Sequence, residues 1–376
     1  MRFVFYCHSL ASDWNHGNAH FLRGVMRELV HRGHEAVALA PFDAWSRANL
    51  AADQGFAPLD RFERDFPELE ERLYERGFDH AAALEGADVV VVHEWTDPAI
   101  VAEIGWLRRE GAPFTLLFHD THHRAVSAEK AIAGLELRDY DGVLAFGEAL
   151  AARYRAAGWG RQVHVWHEAA DTRLFRPLPE VEKTGDLVWI GNWGDGERDQ
   201  QLRAFLVEPV RDLGLVAEAW GVRYPPQALA ALEEAGIAYR GWIANADAPE
   251  VFARHRVTVH VPRRPYVESL PGIPTIRVFE ALACGIPLVC APWEDAEGLF
   301  RPGEDYLLAE DGEAMRAALR TILNEPDRAA ALAASGLETI RARHTCAHRV
   351  DELIGILADL GVGTREQETT ETETLP

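Results

Sequence analysis

PGIPTIRVFEALACGIPLV, residues 271–289, compresses several structural signals into one short span. A loop rich in proline (Pro271, Pro274) runs into a short helix that carries one acid, Glu280. The helix ends at Cys284-Gly285, and Pro287 opens an apolar strand. Proline near a helix start and glycine just past its end is the expected asymmetry of helix termini. Val278, Phe279, Leu282 and Ala283 make one apolar face, while Arg277, Glu280, Ala281 and Cys284 form a separate stripe. The unit brings the backbone N–H groups of Thr275 and Ile276, together with a carboxylate, to one edge of a sheet, where an anionic ligand can dock.

Outward from this unit, strand and helix patterns alternate along the chain. Arg2–Cys7 reads as a strand and Asn18–Arg32 as a helix, with Phe21, Leu22, Val25 and Leu29 at helical spacing. Gly33 closes that helix, and His34–Ala40 is the next strand. Further apolar runs are Asp88–Val92, Phe114–Phe118, Gly142–Phe146 and Gln162–Trp166. Arg173–Gly185, with Pro177 and Pro179, reads as a linker. A second alternation follows: strands Leu187–Ile190, Leu215–Trp220, Ile237–Tyr239, Val257–Val261 and Pro287–Ala291, with helices between them, among them Asp199–Leu213. The expected fold is α/β: two Rossmann-like domains facing each other across a cleft. Residues 1–175 make the first and 183–345 the second. Residues 346–362 form a closing helix that can return to the first domain. The Thr/Glu-rich tail, 363–376, lacks apolar content and is expected to be disordered.

Composition narrows the partners. The chain has 376 residues and a net charge of −22, which argues against nucleic acid or an anionic membrane as main partner. Lysine is nearly absent (Lys130, Lys183), so arginine carries the cationic work. No apolar run approaches the roughly 20 residues of a membrane span, and MRFVFYCHSL reads as a buried strand rather than a signal peptide. Cys7, Cys284, Cys290 and Cys346 lack metal or redox spacing, so free thiols in a reducing cytoplasm are expected.

At several stations, in order, the sequence resembles GT-B glycosyltransferases, nearest the retaining group-1 enzymes and their CgeB-like relatives. HGNAHFLRGVMRELVHRGHEAVALA, His16–Ala40, is similar to the family's glycine loop, at Gly17, with its first helix and following strand. WHEAADTRLFRP, Trp166–Pro177, is similar to the crossing into the second domain. LVWIGNWGDGER, Leu187–Arg198, is similar to the first strand and phosphate loop of the second domain, and the Glu280 helix is the last station.

The resemblance implies a nucleotide-diphosphate sugar as donor substrate, an acceptor of unknown kind, no cofactor and no metal. It implies that Glu280 holds the donor ribose, a task suited to an acceptor-only carboxylate. Arg198 takes the second cationic place of the family's diphosphate clamp, its fork able to bind phosphate bidentately. Asn192 stands where the family has the first cation, beside Gly191. Thr275 and Ile276 offer backbone N–H groups to phosphate. Arg277, disfavoured in a first helical turn, is either a phosphate ligand or the surface partner of Glu280. Gly241-Trp242-Ile243 resembles the segment that receives the base. His119-Asp120, after an apolar strand, are the expected catalytic residues, with His119 stabilising positive charge on the sugar ring; His93-Glu94 are expected on the acceptor side.

The sequence also departs from the group-1 pattern. The acid eight residues before Glu280 is replaced by Gly272, and Glu268 on the same loop is the substitute to consider. His122 and His123 beside His119 raise a metal site, though HDTHH lacks a ligand framework. Asp139-Tyr140-Asp141 matches a metal motif of the other glycosyltransferase fold but leads into a Rossmann strand, so the match is read as accidental. A nucleotide-sugar epimerase, or a catalytically weak nucleotide-sugar-binding protein, are the alternatives.

Overall fold

A computed structural model describes residues 1–194, 196 and 198–362; the expected disordered tail lies outside the described residues. Two parallel sheets organise the chain. The first contains β1 (Arg2–Tyr6), β2 (Glu35–Pro41), β3 (Glu70–Tyr74), β4 (Val89–His93), β5 (Thr115–Asp120), β6 (Gly142–Ala145) and β7 (Val163–Val165), in the order β3-β2-β1-β4-β5-β6-β7. The second contains β8 (Gly185–Ile190), β9 (Ala217–Trp220), β10 (Ile237–Gly241), β11 (His255–His260), β12 (Leu288–Cys290) and β13 (Leu307–Leu308), in the order β10-β9-β8-β11-β12-β13. In each sheet the chain first winds outward, then returns to the other side of its first strand. The crevice at such a reversal, beyond the carboxyl ends of the strands, is where open α/β sheets bind ligands.

The central strands are continuous apolar runs because helices cover both faces. Val89–Val92 is buried throughout, its alternate residues divided between two cores. The edge strand β3 escapes the sequence pattern for the same physical reason that it can sit at an edge. Its EERLY sequence is charged and largely solvated, which blunts an exposed edge. The stretch Asp199–Leu213 is helical but contains a π-turn at Arg203–Val207, just before Pro209. Proline supplies no N–H and its ring clashes one turn back, so the ladder widens there.

The crossing between the sheets is no slack linker. Phe175 is fully buried and stacks on the His20 ring at 4.0 Å. Asp171 binds Arg27 at 2.8 Å and Arg173 at 3.0 Å. The closing helix Cys346–Asp359, capped by Thr345 and His348, lies against the first helix, Asn18–His31. Cys346, Val350, Leu353 and Leu357 join the core of Phe21, Leu22, Val25 and Leu29. Trp166 Nε1 donates to the Arg349 carbonyl at 2.8 Å. Both crossings pair directly through a bridge between Ala170 and Thr345.

Gly24 sets the closeness of this junction. A Cβ there would overlap Cys346 Sγ and lie 2.8 Å from Asp171 Cβ. Alanine favours a helix by about 1 kcal/mol over glycine, but overpacking costs about 1–3 kcal/mol. Gly24→Ala is therefore expected to lower the melting temperature, and an unchanged or raised one would show that the two helices can separate freely.

Candidate functional site

The carboxyl edges of the two sheets face each other across a cleft of about 580 Å³. One wall descends from β1, β4 and β5 and carries His16, Gly17, Asn18, His93, Thr121, His122 and His123; the other carries Gly191, Asn192, Arg198, Trp242, Ile243, His260, Thr275, Ile276 and Arg277. The structure thus brings together Gly17, His93, Gly191, Asn192, Arg198, Trp242, Ile243, Thr275, Ile276 and Arg277 from the sequence reading. Glu280, His119, Asp120 and Glu94 lie behind the cleft surface, nearly or wholly buried.

Two helix starts meet in this space. The helix Asn18–His31 begins after Gly17, and the helix Ile276–Ala283 begins after Thr275; neither has an acid in its first turn. A Cβ on Gly17 would lie 3.0 Å from Ile276 Cγ2, so the two starts nearly touch. Each turns the positive end of its dipole to this space, and the Ile276 amide is directed at the Glu168 carboxyl. Arg198, Arg223, Arg263 and Arg277 line the same cleft, against only two acids, Asp13 and Glu168, among the described lining residues. The Asp13 carboxylate is engaged through Oδ2, which accepts from Arg23 at 3.0 Å and from the Asn245 amide at 3.0 Å, while its buried Oδ1 has no partner among the described residues.

Arg198 is oriented by main-chain carbonyls. Its guanidinium donates to Val261 O at 2.7 Å and to Asn192 O, and lies over the Trp189 ring at 5.3 Å. The Asn192 side chain is engaged at both ends. Its Oδ1 accepts from the Val222 amide at 2.9 Å and its Nδ2 donates to Asn15 on the opposite wall. This neutral side chain links the two walls of the cleft that it lines. Thr275 Oγ1 lies 3.2 Å from His260 Nε2, at the start of the Glu280 helix.

Glu280, expected to hold the donor ribose, does not line the cleft and is fully buried. Its Oε1 lies 2.8 Å from His20 Nδ1, and its Oε2 pairs with Arg277. Burial pushes its pKa up, but Arg277 and His20 outweigh that and hold the carboxyl below its ordinary value. Arg277 meets both descriptions offered by the sequence: it pairs with Glu280 one turn on and also lines the cleft.

His119 is likewise sealed. In β5 it shares its face with Leu117, two residues back, and that face turns toward the first helix. Its ring packs on Trp166 at 4.8 Å and near Phe21 at 5.9 Å, and its carbonyl accepts from the Glu94 amide at 3.0 Å. Asp120 accepts from Tyr154 Oη at 2.7 Å and from the His122 amide at 2.9 Å. Neither side chain lines the cleft, so the expected catalytic pair becomes a support for the floor.

His93 does reach the cleft. Its Nε2 lies 2.6 Å from Asn18 Nδ2, 3.0 Å from Thr121 Oγ1 and 2.9 Å from Glu94 Oε2. Burial, helped by Arg124, lowers its pKa to about 3. Burial raises Glu94 to about 8, and burial with the Glu94 charge raises Asp120 to about 8. The floor therefore holds neutral imidazole beside protonated carboxyl. His122 and His123 stack at 4.0 Å, and no three metal-capable side chains converge among the described residues. Asp139 and Asp141 are tied to arginines away from the cleft, Asp141 to Arg108 at 2.9 and 3.1 Å. Glu268 is exposed and outside the cleft.

Sequence reasoning missed Glu168, His16, Asn18 and His260 in the cleft walls. Glu168 lay inside the quoted crossing stretch, as an acid one residue before a run of small residues; the other three are single polar residues at strand or helix ends, which carry no pattern of their own.

Residues 198–355 match the model of a glycosyl transferase-like family. No curated protein matches the chain in sequence. Among solved structures, a sucrose-phosphate synthase from Thermosynechococcus elongatus is similar at TM-score 0.68 and 16% identity, over 97% of this chain and 100% of that one. HepE from Anabaena, in complex with UDP and glucose, is similar at TM-score 0.68 and 17% identity, over 96% and 100%. An alpha-glucosyltransferase in complex with UDP and a DNA 13-mer is similar at TM-score 0.70 and 11% identity, over 95% and 99%. The fold is that of GT-B glycosyltransferases, two Rossmann-like domains in one chain. No helix among the described residues is long and apolar enough to cross a membrane.

The buried carboxyls make stability depend on pH. Glu94 is raised from 4.5 to about 8, so the stability it contributes is full below the lower value and lost as pH rises through the upper one. Asp120, His93, Arg124 and Thr121 face it from the adjoining strands and loop. Glu94→Gln, which cannot ionise, is expected to gain on the wild type by about 4 kcal/mol between about pH 5 and about pH 9. Parallel melting-temperature profiles for the two proteins would refute a protonated Glu94.

Proposed function

We propose that this protein transfers a sugar from a nucleotide-diphosphate sugar to an acceptor hydroxyl. The observation that carries this reading is the meeting of two helix starts and four arginines in one interdomain cleft of a protein whose net charge is −22. Such a locally cationic, N–H-rich space fits a diphosphate. Solved proteins of this fold in complex with UDP, glucose or UDP-glucose support the same ligand class.

In this reading Trp242 and Ile243 receive the base, and Arg198, Gly191 and the Thr275 amide at the helix start hold the diphosphate, the Ile276 amide being directed at the Glu168 carboxyl instead. As the glycosidic bond breaks, negative charge grows on the departing phosphate oxygen, where the helix dipoles and Arg198 stabilise it. Arg277 adds its charge from the Glu280 pair. With retention of anomeric configuration, that oxygen takes the proton of the acceptor hydroxyl, so no protein base is required. His93 and Thr121 line the floor on which the acceptor hydroxyl approaches. We place the enzyme nearest the CgeB-like branch, since position 272 lacks the acid of group-1 enzymes, and propose a hexosyl donor, no cofactor and no metal. The net charge disfavours a polyanionic acceptor such as nucleic acid. The four buried, unpaired thiols favour a reducing compartment, the cytoplasm.

A specific feature favours a second reading, a nucleotide-sugar-binding protein with little turnover: Asn192 stands in the clamp and is spent on an interdomain contact. Incubation with a panel of nucleotide sugars, followed by NMR of the released or transferred sugar, separates the two. Transfer or donor hydrolysis supports the enzyme, and tight binding without either supports the second reading.

Arg198→Ala is expected to weaken a nucleoside diphosphate by about 10- to 100-fold and the matching nucleoside by far less. Titration calorimetry reads both, and equal losses would remove Arg198 from the phosphate site.

A further inference from the structure

The cleft contains an acid that neither the catalytic scheme nor the diphosphate site uses. Glu168 follows β7 at the crossing between the domains, is 5% exposed, and lines the cleft beside Thr275, Ile276 and Arg277. The Ile276 amide is directed at its carboxyl group, and Arg277 and Glu280 are the nearest charges. No side chain among the described residues hydrogen-bonds it, whereas the other lining acid, Asp13, is fixed through Oδ2 by the Arg23 ion pair and the Asn245 amide, with only Oδ1 left over. A buried carboxyl with unfilled hydrogen-bonding capacity, aimed into a ligand-sized space, wants a polar partner there.

The alternatives for that partner's recognition are closed by geometry. Position 272 has φ +90°, and a Cβ there would lie 3.0 Å from Ala296 Cβ. A glutamate at that position would be strained, and Gly272 does not line the cleft. Glu268 points away into solvent. Glu280 is closed off by His20 and Arg277. Glu168 alone among these acids stands at the cleft surface, next to the helix start at Ile276, the side that the nucleotide-sugar reading gives to phosphate. A sugar joined to the terminal phosphate necessarily occupies the space next to that end.

We propose that Glu168 hydrogen-bonds a hydroxyl of the donor sugar, replacing the acid absent from position 272, and thereby distinguishes a nucleotide sugar from the bare nucleotide. The inference rests on the nucleotide-sugar reading of the cleft and adds the residue that recognises the sugar half. The ligand class is a hexose-like sugar with a free hydroxyl directed at the interdomain crossing. A sugar lacking that hydroxyl leaves the carboxyl without a partner and binds more weakly.

Titration calorimetry on the full chain, with UDP and UDP-glucose as probes and adenosine and guanosine counterparts in parallel, tests it. Wild type binds a nucleotide and its sugar conjugate. Glu168→Ala is expected to weaken the sugar conjugate by about tenfold or more while changing the bare nucleotide by less than about threefold. Glu168→Gln, nearly isosteric, is expected to show the same selective loss at smaller size, and it carries the test if the alanine variant does not fold by thermal melting. Equal losses for both probes, or none, overturn the role of Glu168 while leaving the nucleotide-sugar reading intact. A wild type that binds none of the nucleotides or conjugates overturns both.

Discussion

The hydrogen bond between His20 and Glu280 fixes how the two domains share one cleft. It is 2.8 Å long, and both side chains are almost wholly removed from solvent. The Asp171 amide donates to His20 Nε2 at 2.9 Å, which places the ring proton on Nδ1, facing Glu280. Phe175 stacks on the same ring. One imidazole therefore touches the first helix, the crossing segment and the Glu280 helix together. Because His20 lies in the first turn of its helix and Glu280 in the second turn of its own, the bond brings both helix starts into register at the cleft. A carboxylate buried this deeply is tolerated only with such partners, since an unpaired one costs several kcal/mol.

The same bond explains the electrostatics of the cleft. Glu280 neutralises part of Arg277, and backbone carbonyls set the direction of the Arg198 guanidinium. A guanidinium already held in place loses little freedom when phosphate arrives. The overall charge of −22 does not cancel this field, because exposed charges beyond a screening length of about 8 Å are largely damped. The acidic exterior and the cationic cleft are thus separate features, the first bearing on solubility and partners and the second on ligand.

The alternation of apolar runs made both sheets legible, since a parallel strand covered on two faces leaves a continuous hydrophobic trace. The charged edge strand Glu70–Tyr74 leaves none, and it went unread. The site divided along a similar line. Residues expected to act through their backbone (Gly17, Gly191, Thr275, Ile276) line the cleft, because loop and helix-start geometry is local. Residues whose side chains matter were harder. Whether His119 faces the cleft depends on the face of β5 it occupies, and Phe21 and Trp166 decide that from distant parts of the chain. Glu280 depends on a histidine 260 positions away. Glu168 carried no motif of its own, and its importance comes only from what the fold leaves empty around it.

The two walls of the cleft differ in charge for a reason that follows from burial. The first-domain floor is built from His93, His119, His122, Glu94 and Asp120, all titratable. Desolvation drives the imidazoles down and the carboxyls up, His93 to about 3 and Glu94 to about 8. At neutral pH that floor is therefore close to uncharged, while the opposite wall carries arginines that burial does not deprotonate. A ligand with an anionic and a neutral half has one favourable orientation in such a space. For the nucleotide sugar proposed above, the diphosphate would face the helix starts and Arg198, and the sugar would meet the Glu168 carboxyl and the neutral imidazole and hydroxyl groups. A neutral floor also offers no strong base to compete with a departing phosphate oxygen for the acceptor proton. The polarity that orients the donor and the path proposed for the proton have the same cause, the exclusion of water from the first-domain wall.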